Sequence, residues 1–155
     1  MSQENLEVAR RLYPVGVDLV ASFADREGFE PMWGVFESLV QPDFETVSAP
    51  GQIPLSGAGA DDPSRPIFYG MDGFVSSFRD WLSAWQSWVV TATEFIDVDE
   101  SRVLVLLDVR ARSMTHQVEI PIEGANLLTF SDGKLGRLEI FFDRAQAREA
   151  AGLKD

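Results

Sequence analysis

The last fifth of the chain, residues 129–153, constrains the fold more than any other stretch. Asp132-Gly133 separates two apolar runs, and this dipeptide is the strongest short-range signal for a β-hairpin because both central residues of the turn need positive φ. We therefore predict a strand that ends at Phe130, a second strand over residues 135–142, and a short closing helix that begins at Asp143.

Side chains alternate across a strand, so Leu138, Ile140 and Phe142 share one face of the last strand. We expect any pocket to lie on that face. Earlier strands are predicted over residues 88–98, 102–113 and 118–130, joined by short polar turns. Consecutive strands with hairpin links form an antiparallel meander.

The first half of the chain has the apolar spacing of helices. We predict helices over residues 2–13 and 17–25 and a third that begins at Pro31 and stops at Pro42, followed by a short strand at 44–48. The clearest helix, residues 70–85, carries five large side chains on one stripe. They are Phe74, Phe78, Trp81, Leu82 and Trp85.

Helices first and strands after them favour an α+β fold with helices on one face of a curved sheet. Residues 50–66 are rich in Gly, Pro and Ser and predict a long loop, either a functional lid or a disordered excursion. We find no internal repeat and no linker, and 155 residues suit one domain spanning 1–155.

Acidic residues outnumber basic ones by 25 to 13, which gives a formal net charge of −12. Such a surface repels phosphate backbones, so we expect no nucleic-acid partner. The lack of cysteine excludes disulfides, thiolate catalysis and the usual structural zinc sites. Charged residues occupy the N-terminus where a signal peptide needs an apolar core, and no run approaches 18 apolar residues. We expect a soluble, cytoplasmic protein with no membrane partner.

The element order, with YGMDGF opening the amphipathic helix and DGKLGRLEIFFDRAQAREAAGL at the end, resembles the SnoaL-like branch of the nuclear-transport-factor-2-like superfamily. Ketosteroid isomerase, limonene epoxide hydrolase and scytalone dehydratase belong to that superfamily. The resemblance covers nearly the whole chain. It implies a cystatin-like α+β barrel, that is, a cone-shaped antiparallel sheet wrapped around N-terminal helices, with an apolar cavity and frequently a homodimer through the sheet. It implies no single activity, because this fold hosts enzymes, binding modules and transport factors.

Most catalytic groups of these relatives are replaced here. The carboxylate that epoxide hydrolases and SnoaL-type cyclases place on the last strand corresponds to Ile140, and the Arg-x-Asp pair of epoxide hydrolases to Leu107 and Val109. The general base of ketosteroid isomerases corresponds to Ala49. Scytalone dehydratase relies on two histidines, whereas this chain has only His116, for which we favour a surface position.

One polar position remains. Ketosteroid isomerases hold a protonated Asp four residues before the Phe that ends the fourth strand, and the matching residue is Asn126. An amide can donate to a developing oxyanion at any pH. The alternative is that Asn126 satisfies a neighbouring backbone group or a water.

Tyr13 and Asp18 are further catalytic candidates because the helices could turn them toward the cavity mouth. A carboxyl group in the apolar run around Asp18 would have a raised pKa and could act as general acid or base. The alternative for Asp18 is a helix cap or an exposed position.

The cavity wall is predicted from the strand faces and the aromatic helix, for which simple core packing is the alternative. Ser48 and Tyr69 flank the long loop and could contact a ligand, or else be exposed. The predicted apolar lining residues are Phe78, Trp81, Leu107, Val109, Leu128, Ile140 and Phe142.

The charged residues Asp108, Arg110 and Arg112 alternate with the aliphatic face, so we place them on the outer side of the sheet. There they could pair across strands with Arg137 and Glu139 or make a dimer contact.

Two classes of function follow. The first is a protein that binds a small apolar or aromatic molecule and acts on it as a cofactor-independent isomerase, cyclase or dehydratase. The second is a non-catalytic dimeric binding or structural module whose cavity is only packed core. The missing carboxylates favour the second class or an unusual form of the first.

Overall fold

The computed structural model describes residues 2–25, 27–47, 67–115 and 118–153. The elements are α1 (Ser2–Leu12), β1 (Val17–Asp18), α2 (Leu19–Ala24), α3 (Glu30–Leu39), β2 (Val40–Val47), β3 (Ile67–Tyr69), α4 (Gly70–Leu82), β4 (Trp85–Asp97), β5 (Arg102–Ser113), β6 (Glu119–Ser131), β7 (Lys134–Phe141) and α5 (Arg144–Ala151). The α+β class predicted from the sequence is confirmed.

The seven described strands form one sheet in the order β1-β4-β5-β6-β7-β2-β3. The predicted meander from β4 to β7 is confirmed, since each of its neighbouring pairs is antiparallel. Two details of the prediction are corrected. The sheet is open instead of a closed barrel, and β2 pairs with β7 in parallel, because these strands are joined by a long excursion through the rest of the chain.

The hairpin between β6 and β7 has the predicted turn. Asp132 and Gly133 have φ of 54° and 77°, and the strands close on the pair Ser131 and Lys134. Asp143 then caps α5, because its Oδ1 accepts the N–H of Ala145 at 2.8 Å.

Three boundaries differ from the sequence prediction. Val17 and Asp18 form a short strand paired with β4 before the second helix begins. Strand β2 starts at Val40, directly after α3, and passes through Pro42. Helix α4 ends at Leu82, so Trp85 begins β4 and does not extend the helical stripe.

Hydrophobic clusters cover both faces of the sheet. The larger one packs the helices α1 to α4 against the inner face and includes Val103, Val105, Leu107 and Val109 of β5. The smaller one lies on the outer face, where α5 covers β5, β6 and the end of β7. The odd-numbered residues of β5 therefore face the interior, as the alternation predicts.

The outer-face charges pair differently from the sequence expectation. Asp108 accepts from Arg144 at 3.3 Å, whereas Arg137 pairs with Glu139 and Glu45, both at 3.4 Å. The reason is the strand order: β6 lies between β5 and β7, so residues of β7 are not opposite Asp108. No helix in the described part of the chain is both long and apolar enough to cross a membrane.

A candidate binding cavity between the helices and the sheet

A cavity of about 130 Å³ lies between the helices and the inner face of the sheet. Its wall is almost entirely apolar and aromatic. The lining residues are Arg11, Leu12, Tyr13, Pro14, Val17, Leu19, Met32, Trp33, Phe36, Phe74, Phe78, Trp81, Trp88, Val90, Leu107, Val109, Ile122, Gly124, Asn126, Leu135, Leu138, Ile140, Phe141 and Phe142.

Eight of the twelve catalytic and substrate-binding residues predicted from the sequence line this cavity. They are Tyr13, Phe78, Trp81, Leu107, Val109, Asn126, Ile140 and Phe142. The strand residues are there because β5, β6 and β7 are adjacent: Val105, Asn126 and Ile140 lie side by side across the three strands.

Asp18 does not line the cavity. Its Oδ1 accepts two backbone N–H groups, those of Val20 and Trp88, both at 3.0 Å. The first bond caps α2 and the second joins the cap to β4. We therefore replace the catalytic prediction for Asp18 with the capping alternative, because its carboxylate is occupied by the backbone.

Two other predicted lining residues also lie elsewhere. Tyr69 is 61% exposed just before α4, and Leu128 is fully buried in the core cluster. Ser48, the loop at 50–66 and His116 fall outside the described residues, so the predictions for them stay predictions.

The polar centre of the cavity is a hydrogen bond between residues that are 113 positions apart. The Asn126 amide Nδ2 donates to the Tyr13 hydroxyl oxygen at 2.6 Å. Tyr13 directly follows the end of α1, where its N–H reaches the carbonyl of Arg10 at 3.3 Å. Its ring packs edge-on against Phe95, with centroids 6.4 Å apart. The end of a helix and the middle of a strand thus hold the two groups together.

Comparison with known proteins identifies the fold. A protein from Burkholderia pseudomallei, described as NTF2-like and of unknown function, aligns over 94% of this chain and 95% of its own, with 17% identity and a TM-score of 0.64. A protein from Jannaschia sp., described as a SnoaL-like polyketide cyclase, aligns over 99% of this chain and 94% of its own, with 13% identity and a TM-score of 0.62. This chain has the NTF2-like fold.

A further solved structure with this similarity is TerC, co-crystallised with polyporic acid. It aligns over 96% of this chain and 98% of its own, with 22% identity and a TM-score of 0.62. No protein-family model matches the sequence, and no curated protein does. The NTF2-like assignment therefore rests on the arrangement of helices and strands.

The hydroxyl of Tyr13 accepts a hydrogen bond from Asn126 and keeps its own proton for a further acceptor in the cavity. Burial raises the pKa of Tyr13 well above its usual value, and the hydrogen bond from Asn126 offsets that rise only in part. The hydroxyl therefore keeps its proton at neutral pH. The Asn126 N–H occupies one lone pair of the Tyr13 hydroxyl oxygen. The proton of that hydroxyl can therefore point at another acceptor.

No second hydrogen bond is made by the side chain of Tyr13 or Asn126 within the described residues. A carbonyl or phenolate oxygen placed in the cavity would thus find one O–H donor already oriented by its neighbour. Such a preorganised donor stabilises negative charge that develops on oxygen.

Aromatic rings form another side of the cavity. Trp81 stacks on Phe142 with centroids 5.4 Å apart and meets Trp88 edge-on at 5.5 Å. The buried indole N–H of Trp81 has no hydrogen-bond partner among the described residues. Sequence reasoning missed Trp88, although its position at an inner-facing place in β4, opposite Ala111, was the available signal.

Charged lining residues are rare. Arg11 is the one charged residue among the described residues that line the cavity, and none of them is Asp, Glu or His. The described part of the chain also contains no group of three or more His, Cys, Asp or Glu residues that could hold a metal ion.

The raised pKa of Tyr13 can be measured because the chain has only two tyrosines. In Tyr69→Phe, Tyr13 is the single source of tyrosinate absorbance. We expect the folded variant to form no tyrosinate until the pH is well above 10, whereas the chain unfolded in guanidinium titrates near the ordinary value of about 10.

The sign of the stability effect follows from linkage. A folded-state pKa above the unfolded one means that the contribution to stability is complete below the unfolded pKa and is lost as the pH rises beyond it. Tyr69→Phe should therefore lose stability progressively as the pH rises above about 10, while Tyr13 of the folded protein is still protonated. Ordinary titration of Tyr13 in the folded protein would show that its hydroxyl is not held in a buried site.

Proposed function

We propose that this protein binds a small, mostly apolar or aromatic molecule and holds one oxygen of that molecule with the Tyr13 hydroxyl. The observation that carries the proposal is the 2.6 Å Asn126–Tyr13 hydrogen bond inside an otherwise apolar cavity. A buried polar pair is costly unless its hydrogen bonds are made, and the remaining Tyr13 proton supplies one that a ligand can complete.

The size of the cavity supports a ligand with one ring. An engineered apolar cavity of about 150 Å³ takes up benzene, and about 130 Å³ is close to that volume. TerC, which shares the fold, was co-crystallised with polyporic acid, and this is consistent with a small organic ligand here.

We favour binding over proton-transfer catalysis because the described cavity wall is apolar and contains no Asp, Glu or His. The Tyr13–Asn126 pair could stabilise an oxyanion, which an isomerase, cyclase or dehydratase requires. Such a reaction also needs a group that takes up a proton, and no carboxylate or imidazole lines the described cavity. A catalytic role without a cofactor is therefore the second candidate, and the homodimer implied by the family resemblance stays a prediction.

The test compares two neutral ligands of similar size, acetophenone and ethylbenzene, which differ in the carbonyl oxygen. Binding is followed by the intrinsic tryptophan fluorescence of the protein, because Trp33, Trp81 and Trp88 line the cavity. We expect Tyr13→Phe to weaken acetophenone binding about tenfold, the effect of one buried hydrogen bond of about 1.4 kcal/mol, and to leave ethylbenzene binding unchanged.

Tyr69→Phe is the matched control, because it removes the other tyrosine hydroxyl of the chain from an exposed position. It should leave both affinities unchanged. Asn126→Leu should weaken acetophenone binding less than Tyr13→Phe, since it removes only the group that orients the hydroxyl. Equal losses for acetophenone and ethylbenzene in Tyr13→Phe would refute the oxygen contact.

A further inference from the structure

The charge on the described cavity wall is opposite in sign to the net charge of the chain. The chain carries a net charge of −12, yet the one charged side chain on the described cavity wall is the cation Arg11. A wall with one cation and no described carboxylate is complementary to a singly charged anion, because burying an anion requires a positive partner.

Arg11 lies where the cavity meets solvent. Of the described lining residues, only Arg11, Pro14 and Phe142 are exposed. Arg11 is next to the last residue of α1 and two positions before Tyr13. A ligand whose oxygen contacts Tyr13 therefore enters a site in which a guanidinium is one of the few exposed groups.

The guanidinium of Arg11 has no partner among the described residues. It makes no ion pair or hydrogen bond within the described part of the chain, in contrast to Arg102, Arg137 and Arg144. No described residue occupies its N–H donors, and their planar fork matches a carboxylate. The dipole of α1 favours a cation in its last turn, where both Arg10 and Arg11 lie. Arg10 lies over the Phe95 ring and does not line the cavity, so the dipole alone does not explain the position of Arg11 at the cavity.

We propose that Arg11 recognises a carboxylate of the ligand at the cavity mouth. The ligand class is then an aromatic or apolar carboxylic acid. It carries a further oxygen, outside the carboxylate, that accepts a hydrogen bond from Tyr13. This inference rests on the proposed function, since it uses the same cavity.

The experiment compares 4-acetylbenzoate with 4-acetylbenzamide, which have the same ring and ketone but differ in charge. Affinities are measured by calorimetry for the wild type, Arg11→Gln and Arg10→Gln. We expect Arg11→Gln to weaken binding of the acid about five- to tenfold, the range of a partly exposed charge-assisted contact, and to change the amide less than twofold.

Arg10→Gln removes the same charge from the neighbouring residue and should leave both affinities within twofold. If Arg10→Gln matched Arg11→Gln, or if Arg11→Gln weakened neither ligand or both alike, the carboxylate site would be refuted while the cavity remained a binding site. If neither compound bound to the wild type, the proposed function would fail as well.

Discussion

Replacing Phe74 with alanine should lower the free energy of unfolding by about 3 to 5 kcal/mol, the usual cost of removing a buried aromatic ring. Phe74 is 6% exposed and lies at the centre of the inner aromatic cluster. Its ring centroid is 4.9 Å from those of Phe36 and Phe78, and Phe44 and Phe23 follow at 5.9 and 6.0 Å. Several aromatic contacts are lost at once, and each contributes beyond the buried area. Urea denaturation measures the change.

Phe142→Ala is the matched control, because it deletes the same atoms at a position that is 38% exposed and stacks on Trp81. We expect a loss below about 2 kcal/mol, since part of the ring never leaves water. Similar losses in the two variants would contradict the placement of the core around Phe74.

The second large effect is expected for Leu107→Asp. Leu107 faces the inside of the sheet and lines the cavity, so the new carboxylate would be buried without a described partner. We expect a loss of at least about 3 kcal/mol in the free energy of unfolding, the cost of an uncompensated buried charge. Thermal and urea unfolding both report it.

Asp108→Leu is the matched control, because it replaces a carboxylate with an apolar side chain at the next residue of β5. Asp108 points outward and its pair with Arg144 is exposed, so the expected loss is within about 1 kcal/mol. A larger loss for Asp108→Leu than for Leu107→Asp would mean that the faces of β5 are assigned the wrong way round, and the apolar cavity would be wrong with them.

Local features of the fold were predictable from the sequence because neighbouring residues determine them. The turn forms at Asp132-Gly133 because these two residue types tolerate the positive φ that the turn requires. Helix α5 starts after Asp143 because the side chain of Asp143 caps it. The inner and outer faces of β5 follow from the period of two.

The candidate site was predictable only in part. Leu107, Val109 and Ile140 lie at the cavity wall. Their face could be predicted because side chains alternate along a strand. Asp18 was misjudged, because its second bond goes to a backbone N–H 70 residues away in β4, which no local pattern reveals. Arg11 was missed, since a cation near a helix end is unremarkable until the cavity is known.

The α+β class, the meander and the apolar character of the inner strand faces can all be predicted from the order of residues, because they depend on periodicity and turn chemistry within short windows. Three features depend on long-range packing and have no local signal. They are the parallel pairing of β2 with β7, the open sheet, and the contact between the end of α1 and the middle of β6. Tyr13 and Asn126 are distant in the chain, and their contact depends on how the helices pack on the sheet. That packing gives the Tyr13 hydroxyl its buried position and its raised pKa.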